Sequence, residues 1–285
     1  MNKQKSYISG LNKLYLIPTP IGNFDDMTFR AIETLKNVDI IYCEDTRVTY
    51  RLLSHFNIET PLKAYHIFNE NVACDEILEE LRSGKNIGLV SDAGLPVISD
   101  PGYQIAKLAI ENEFEVVSLP GANAALTALI SSGIPANHFF FYGFLDHKVS
   151  QKEKELDSLK DFKDTLIFYE APHRIIETLT SIYKVLGDRE VCIARELTKH
   201  YEEYTRGYVS EILNSNPEFK GEIVVVVHGA TITKVQETLN DLTILEHFEF
   251  YKKQNFNDKD AMKRVAKDRN ISKSDVYKTL LESNK

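Results

Sequence analysis

NIGLVSDAGLPVISDPGYQIAKLAI, residues 86–110, joins a short apolar run to an amphipathic one through a loop of unusual composition. Its first five residues have the apolar, partly β-branched character of a buried strand, and IAKLAI at its end suits a helix. Between them, Asp92 and Gly94 mark the strand exit, and Asp100 followed by Pro101 is placed to cap the helix and fill its first position. The unit is strand, shaped loop, helix. Two readings of the loop stand side by side. It is a tight βα connection, since Gly and Pro punctuate every fold, or it is a ligand loop, since open parallel sheets bind ligands beyond the carboxyl ends of their strands.

The same alternation continues on both sides. KLYLIP (13–18), VDIIYC (38–43), LKAYH (62–66) and FEVVSL (114–119) join NIGLV (86–90) as predicted strands. Helices fall between them: TFRAIETLK places Phe29, Ile32 and Leu35 at helical spacing, and CDEILEELRSG repeats the pattern before Gly84. This is the pattern of βαβ units and a mostly parallel sheet. After residue 120 a small-residue helix, ANAALTALISSG, precedes HFFFYGF, DTLIFYE, EVCIAREL, EEYTRGYV and EIVVVVHG, strands with fewer and less evenly spaced helices between them. A second, mixed sheet is expected there. The fold class is α/β, with a parallel-sheet domain over 12–119, a mixed-sheet domain over 120–235 and a small helical tail over 240–285.

Composition narrows the function. A chain of 285 residues with 43% hydrophobic content buries a substantial core. It carries no run of about 18 apolar residues, and MNKQKSYISG lacks the apolar stretch of a secretory signal, so a cytoplasmic protein with no membrane role is expected. Cys43, Cys74 and Cys192 are isolated, with no C-x-x-C and no H-E-x-x-H, which argues against a disulfide framework and a metal site and for three small core residues. The net charge of -8 does not hold a protein on nucleic acid by itself. Its distribution is uneven: the last 45 residues carry 10 Lys and Arg against 8 Asp and Glu, leaving 24 against 34 for the first 240.

Four further loops carry polar or small residues at strand ends. PTPIGNFDD offers Gly22 and Asn23 for an unusual turn, but no G-x-G-x-x-G follows, which weakens a dinucleotide fold. EDTR (44–47) sets two carboxylates and a guanidinium at the end of the second strand, either a solvated ion cluster or a polar substrate wall. LPGANAAL opens a helix with Gly121, Ala122, Ala124 and Ala125, small enough for close ligand approach or simply for close packing. FYEAPHR (168–174) ends a strand at Glu170 and opens a helix at Pro172, with Ile175, Leu179, Ile182 and Leu186 as its buried stripe before Gly187. His173 and Arg174 then fall in the first turn, where the helix macrodipole disfavours cations by about 0.3–1 kcal/mol. Either Glu170 compensates them or an anionic partner does.

Together, LYLIPTPIGNFDDMT, YCEDTR, GLVSDAGLPVISDPG, SLPGANAALTALISSG, FYEAPHR and ARELTKHYEE closely resemble, in order and spacing, the ribosomal RNA small subunit methyltransferase I family of the tetrapyrrole methylase superfamily. The resemblance spans nearly the whole chain. It implies a two-domain tetrapyrrole-methylase-like fold and an enzyme that uses S-adenosyl-L-methionine to methylate the ribose 2′-oxygen of a cytidine in the decoding region of 16S ribosomal RNA. It also implies a homodimer with the cofactor between the domains. Tetrapyrrole methylases usually carry G-D-P after the fourth strand; here Asp92, Ala93 and Gly94 take that place, as in the ribosomal RNA branch. Carried over residue by residue, the cofactor contacts fall on Pro20 in the first loop, on Asp92, Ala93 and Gly94, on Pro120, Gly121 and Ala122, on Tyr169, and more loosely on Leu197 and Gly221.

Ribose methylation needs the 2′-hydroxyl held in line with the methyl donor and a group to take its proton, and it needs no metal. Glu170, His173, Asp45 and Glu196 are the candidate bases, and Arg47, Arg174 and Arg195 the candidate holders of RNA phosphates. In the tail, KDAMKRVAKDRNISKSDVYKTLL sets Met262, Val265 and Ala266 on one helical face, Asn270 at a helix end, and Ser272 with Asp275 as a capping box ahead of Val276 and Leu280. A helix-turn-helix unit is expected, with Lys263, Arg264, Lys267, Arg269, Lys273 and Lys278 outside, either a face for RNA backbone or a solvated appendage. The rival functions are a tetrapyrrole methyltransferase and a non-catalytic RNA-binding protein.

Overall fold

The structure, a computed structural model, describes residues 3–6, 12–231, 239–254, 256–269 and 271–283. The first half runs β1 (Lys13–Leu16), α1 (Phe29–Asn37), β2 (Ile40–Cys43), α2 (Thr46–His55), β3 (Leu62–Ala64), α3 (Glu70–Arg82), β4 (Ile87–Leu89), α4 (Tyr103–Glu111) and β5 (Glu115–Ser118). The strands form one sheet in the order β3-β2-β4-β1-β5, every pairing parallel. Side chains alternate across a strand, so Ile40 and Tyr42 pack with α3 and α4 while Ile41 and Cys43 pack on the opposite face with α1 and α2. Both faces are covered, as a parallel sheet requires. Phe29, expected in the buried stripe of α1, is 91% exposed; Ala31 and Leu35 carry the buried contacts instead, with Thr28 accepting a hydrogen bond from the Ala31 amide as the cap.

The chain changes sheets through the loop ahead of α5 (Ala124–Ser132), which packs on the second sheet. That sheet is built from β6 (Phe139–Phe144), β7 (Thr165–Glu170), β8 (Glu190–Arg195), β9 (Glu203–Tyr208) and β10 (Ile223–Val227) in the order β6-β7-β10-β8-β9. The β6–β7 pair is parallel and the other pairs are antiparallel, a mixed sheet as expected. The run IVVVV of β10 is buried throughout because it is central: Ile223, Val225 and Val227 face one core, and Val224 and Val226 the other. Helices α6 (Val149–Ser158), α7 (Ile175–Leu186) and α8 (Val209–Asn214) cover the first of these faces, and the predicted stripe Ile175, Leu179, Ile182, Leu186 is buried there.

The tail holds three described helices, not the two of a helix-turn-helix: α9 (Ile244–Lys253), α10 (Asp258–Asp268) and α11 (Lys273–Ser283). Tyr251 from α9 completes an apolar centre with Ala261, Val265, Ala266, Val276 and Leu280. Ser272 accepts from the Asp275 amide, as its capping role requires, whereas Asn270 lies outside the described residues. Arg269, expected on the outside, is turned inward: it donates to His247 Nδ1 at 3.0 Å and to the Leu239 carbonyl at 2.9 Å. The guanidinium has no acceptor, so His247 is neutral with its proton on Nε2, and burial together with Arg269 holds its pKa below the usual histidine value. The three cysteines are free and buried, one in β2, one in α3 and one in β8.

Candidate active site

At the carboxyl ends of the first sheet, two loops are laced together. Thr19, in the loop after β1, exchanges backbone hydrogen bonds with Gly94, in the loop after β4, at 2.9 and 3.1 Å, and its hydroxyl donates to the Ser91 carbonyl at 3.0 Å. Gly94 has a φ of +81°, and a Cβ there would lie 3.3 Å from Ile21, so the loop needs glycine. Beyond it, Val97 and Ser99 adopt φ values of +78° and +62°. Left-handed backbone at such residues costs about 1–3 kcal/mol each and persists only where the surroundings impose it. Helix α4 starts at Tyr103 with Gly102 at its cap, so Asp100 is not the N-cap that its sequence position suggested.

Asp100 instead faces a cavity of about 380 Å³ between the two sheets. Ala93, Gly94, Leu95, Ile98 and Ser99 form one wall with it; Tyr169, Glu170, Ala171 and Pro172 at the end of β7, with Phe144 from β6, form the opposite one. Leu197 and Gly221, with Asn123 and Ala124 at the start of α5, also line the cavity. Burial, reinforced by the nearby Glu44 carboxylate, pushes the Asp100 carboxyl up to about 6 against the opposing Ser91 hydroxyl. Glu44 and Asp92 are themselves raised, each first by burial. Tyr169 is held between the rings of Phe141 at 5.0 Å and Phe144 at 5.5 Å, and burial pushes its hydroxyl up.

Glu170 lines the cavity but its carboxylate is committed elsewhere. Oε1 accepts from the Ala171 amide at 2.8 Å and from Arg174 Nε at 3.0 Å; Oε2 accepts from the Thr178 hydroxyl, which in turn accepts from the fully buried Lys152 at 2.9 Å. Helix α7 starts at Ile175, not Pro172; residues 172–174 form a turn with Arg174 at the cap. The unfavourable cation at this helix start is compensated by Glu170, 2.9 Å from Arg174 Nη2.

The other candidate bases are also occupied or outside. Asp45 caps α2 through the Arg47 amide and clasps the Arg47 side chain at 3.0 and 2.6 Å, which holds its carboxyl at about 2, too acidic to take a proton near neutrality. Burial raises Glu196, but contacts with Lys199 at 3.1 Å and the Glu222 amide outweigh it and leave the carboxyl below its usual value. His173 is exposed on the turn outside the cavity wall. Arg174 and Arg195 are paired as well, the latter with Glu203.

Of the ten cofactor positions, Ala93, Gly94, Tyr169, Leu197 and Gly221 line the cavity; Pro20, Asp92, Pro120, Gly121 and Ala122 do not. Gly121 has a packing reason for its size: a Cβ there would meet Pro18 at 2.3 Å. Asp92 accepts the Asp45 amide at 3.1 Å. Lys263, Arg264 and Lys267 lie on α10, in the tail unit. Sequence reading missed Asp100, Ile98, Phe144 and Asn123. For Asp100 the signal was present, because Asp-Pro-Gly is as much a turn sequence as a helix start.

Among the described residues, no group of His, Cys, Asp or Glu side chains is arranged to hold a metal, and no helix is long and apolar enough to cross a membrane. A parallel sheet and a mixed sheet meeting at a small-molecule-sized cavity define a two-sheet α/β protein with its cavity between the sheets. Diphthine synthase shares this fold with a TM-score of 0.60 at 12% identity, over 76% of this chain and 90% of that one. Uroporphyrin-III C-methyltransferase from Thermus thermophilus, solved with S-adenyl homocysteine, shares it at 0.55 and 15%, over 76% and 97%. The sequence matches the Tetrapyrrole (Corrin/Porphyrin) Methylases over residues 13–213. It is 52% identical to Ribosomal RNA small subunit methyltransferase I of Bacillus subtilis (strain 168), over 94% of both chains. With the protein of that name from Halalkalibacterium halodurans it shares 45%, over 97% of this chain and 98% of the other, and with that of Synechocystis 40%, over 94% and 97%. The chain belongs to the ribosomal RNA small subunit methyltransferase I family of the tetrapyrrole methylases.

Proposed function

We propose that this protein transfers the methyl group of S-adenosyl-L-methionine to the ribose 2′-oxygen of a cytidine in the decoding region of 16S ribosomal RNA, acting in the cytoplasm as a homodimer. The observation that carries the reading is coverage. Relatives named for ribosomal RNA match 94–97% of this chain and so extend into the tail helices, whereas the tetrapyrrole-type structures cover 76%.

The cavity fits the cofactor. Its volume falls in the usual range of about 300–1,000 Å³ for small-molecule sites, its walls are mostly apolar, and the left-handed Gly94 leaves one wall without a side chain. Ala93, Gly94, Tyr169, Leu197 and Gly221 are the residues to hold it. When bound, S-adenosyl-L-methionine supplies an electrophilic methyl group on a sulfonium. Asp100 supplies the base: with its carboxyl near 6 it is mostly ionised at neutral pH, and it takes the proton of the 2′-hydroxyl as that oxygen gains its methyl group. Glu170, fixed by Arg174 and Thr178, keeps the opposite wall in place. Lys259, Lys263 and Lys267, exposed at four-residue spacing on α10, offer RNA backbone a basic edge. Exposed Ile67, Phe68 and Val72, beside Tyr103 where Gln104 bonds Asn71, give a second copy an apolar face to cover.

The test is calorimetry with S-adenosyl-L-methionine and methyl transfer to small ribosomal subunits that lack the modification, with the product nucleotide located by mass spectrometry. A 2′-O-methylated decoding-region cytidine is expected. Methylation of a base, or absence of cofactor affinity, overturns the reading.

A further inference from the structure

The β6–β7 pair contains an irregularity that aims one aromatic side chain. Phe139, Phe140 and Phe141 pair in step with Thr165, Leu166 and Ile167, but the next pairs are Gly143 with Phe168 and Phe144 with Tyr169. Tyr142 is the extra residue of a β-bulge, and Gly143, at φ +84°, supplies the backbone for it. In an unbroken strand Phe144, three positions after Phe141, would point to the opposite face. The bulge cancels one position, so both rings contact Tyr169 and Leu145 drops into the core on the other side. The outcome is a phenylalanine that lines the cavity yet stays 55% exposed.

Facing this strand end is Ile98, also a cavity residue and 42% exposed, set between the left-handed Val97 and Ser99. The two segments touch, since a Cβ on Gly143 would sit 3.3 Å from Ser99 Oγ. Two unfavourable backbone conformations on one side and a bulge on the other thus present two apolar side chains to solvent at one edge of the cavity.

Resting on the ribose-methylation reading, we propose that Phe144 and Ile98 are an apolar clamp for the nucleobase of the target nucleotide. The base is bonded to C1′, next to the C2′ that carries the reacting oxygen. Once that oxygen is inside the cavity, the base has to lie at its mouth, out of its stack with neighbouring bases. An aromatic face and a branched aliphatic group replace the lost stacking. Such a clamp grips any base by its π face and reads no hydrogen-bonding edge.

The experiment measures methyl transfer to unmodified small ribosomal subunits, with kcat and KM for the subunits, and S-adenosyl-L-methionine affinity by calorimetry, in wild type, Phe144→Ala, Phe144→Trp and Ile98→Ala. Phe144→Ala should lower kcat/KM by about ten- to hundredfold, the size of one lost base stack, with cofactor affinity within about twofold of wild type. Phe144→Trp should restore most of it, and Ile98→Ala should show a smaller loss of the same kind. Wild-type kcat/KM in Phe144→Ala overturns the clamp and leaves the function standing. A matching loss of cofactor affinity also overturns it, placing Phe144 against the cofactor. A wild-type protein that binds cofactor but methylates no RNA ends both the function and the clamp.

Discussion

Asp45 and Asp100 are both aspartates that follow a strand end, and their surroundings give them opposite chemistry. Arg47 clasps Asp45 and holds it at about 2; burial beside Glu44 lifts Asp100 to about 6. Asp100→Asn is expected to lower kcat by about 10²- to 10⁴-fold while cofactor affinity stays near wild type. In the wild type, kcat/KM should fall as pH drops below about 6, and the variant should lack that limb. The stability effect has the opposite direction. The folded-state value lies above the ordinary 3.8, so the folded protein binds more protons between about 4 and 6 and loses stability as pH rises through that window. At pH 7 the Asn variant should therefore unfold at a denaturant concentration no lower than wild type; lower stability with intact turnover would show Asp100 to be structural. Sequence alone assigned this residue to a helix cap because Asp-Pro satisfies the local rule for a helix start. The helix begins at Tyr103 behind Gly102, and that shift of a few residues separates a capping aspartate from a half-buried one at the cavity.

At the level of single elements, the junction of β7 and α7 depends on one buried polar chain running from Lys152 through Thr178 to Glu170 and Arg174. Thr178→Val keeps the shape and removes the hydroxyl that both buried charges use. A loss of about 2–4 kcal/mol in denaturant unfolding is expected, because a charged donor and a charged acceptor each lose a partner away from water. A change under about 0.5 kcal/mol would mean that the chain contributes geometry without stability. The strands of the first sheet and its helices α1, α3 and α4 were legible because each is a local pattern, a β-branched run or a 3.6-residue stripe, whereas α2 was hidden behind an EDTR segment that reads as a loop. The bulge in HFFFYGF was not legible either, since six consecutive aromatic or glycine positions, 139–144, fit either parity and only pairing with β7 chooses between them. Nor was α9, whose capping box at Thr243 and Glu246 stands outside the segment that suggested a two-helix tail.

Over the whole molecule the charge is unevenly placed, and a polyanion is drawn more readily to the mildly basic tail than to the acidic body that holds the cavity. Lys259, Lys263 and Lys267 are the residues to change in the full chain, whereas Arg264 lies over the Phe256 ring at 4.1 Å and its replacement would disturb packing. Substituting the three lysines by glutamate should leave cofactor affinity unchanged. It should also reduce the dependence of log RNA affinity on log salt by about 2–3 units of slope, the share of three phosphate contacts. An unchanged slope with wild-type methylation would return the tail to a packing or dimer-supporting role. The buried cysteines divide the molecule in another way. Cys74 and Cys43 sit on opposite faces of the first sheet and Cys192 lies under α5 on the second, while the tail has none. A thiol reagent under native conditions reaches each sulfur only when its own layer opens, so the three alkylation rates are separate clocks for three layers of the catalytic body, and a fraying tail leaves all of them unmoved.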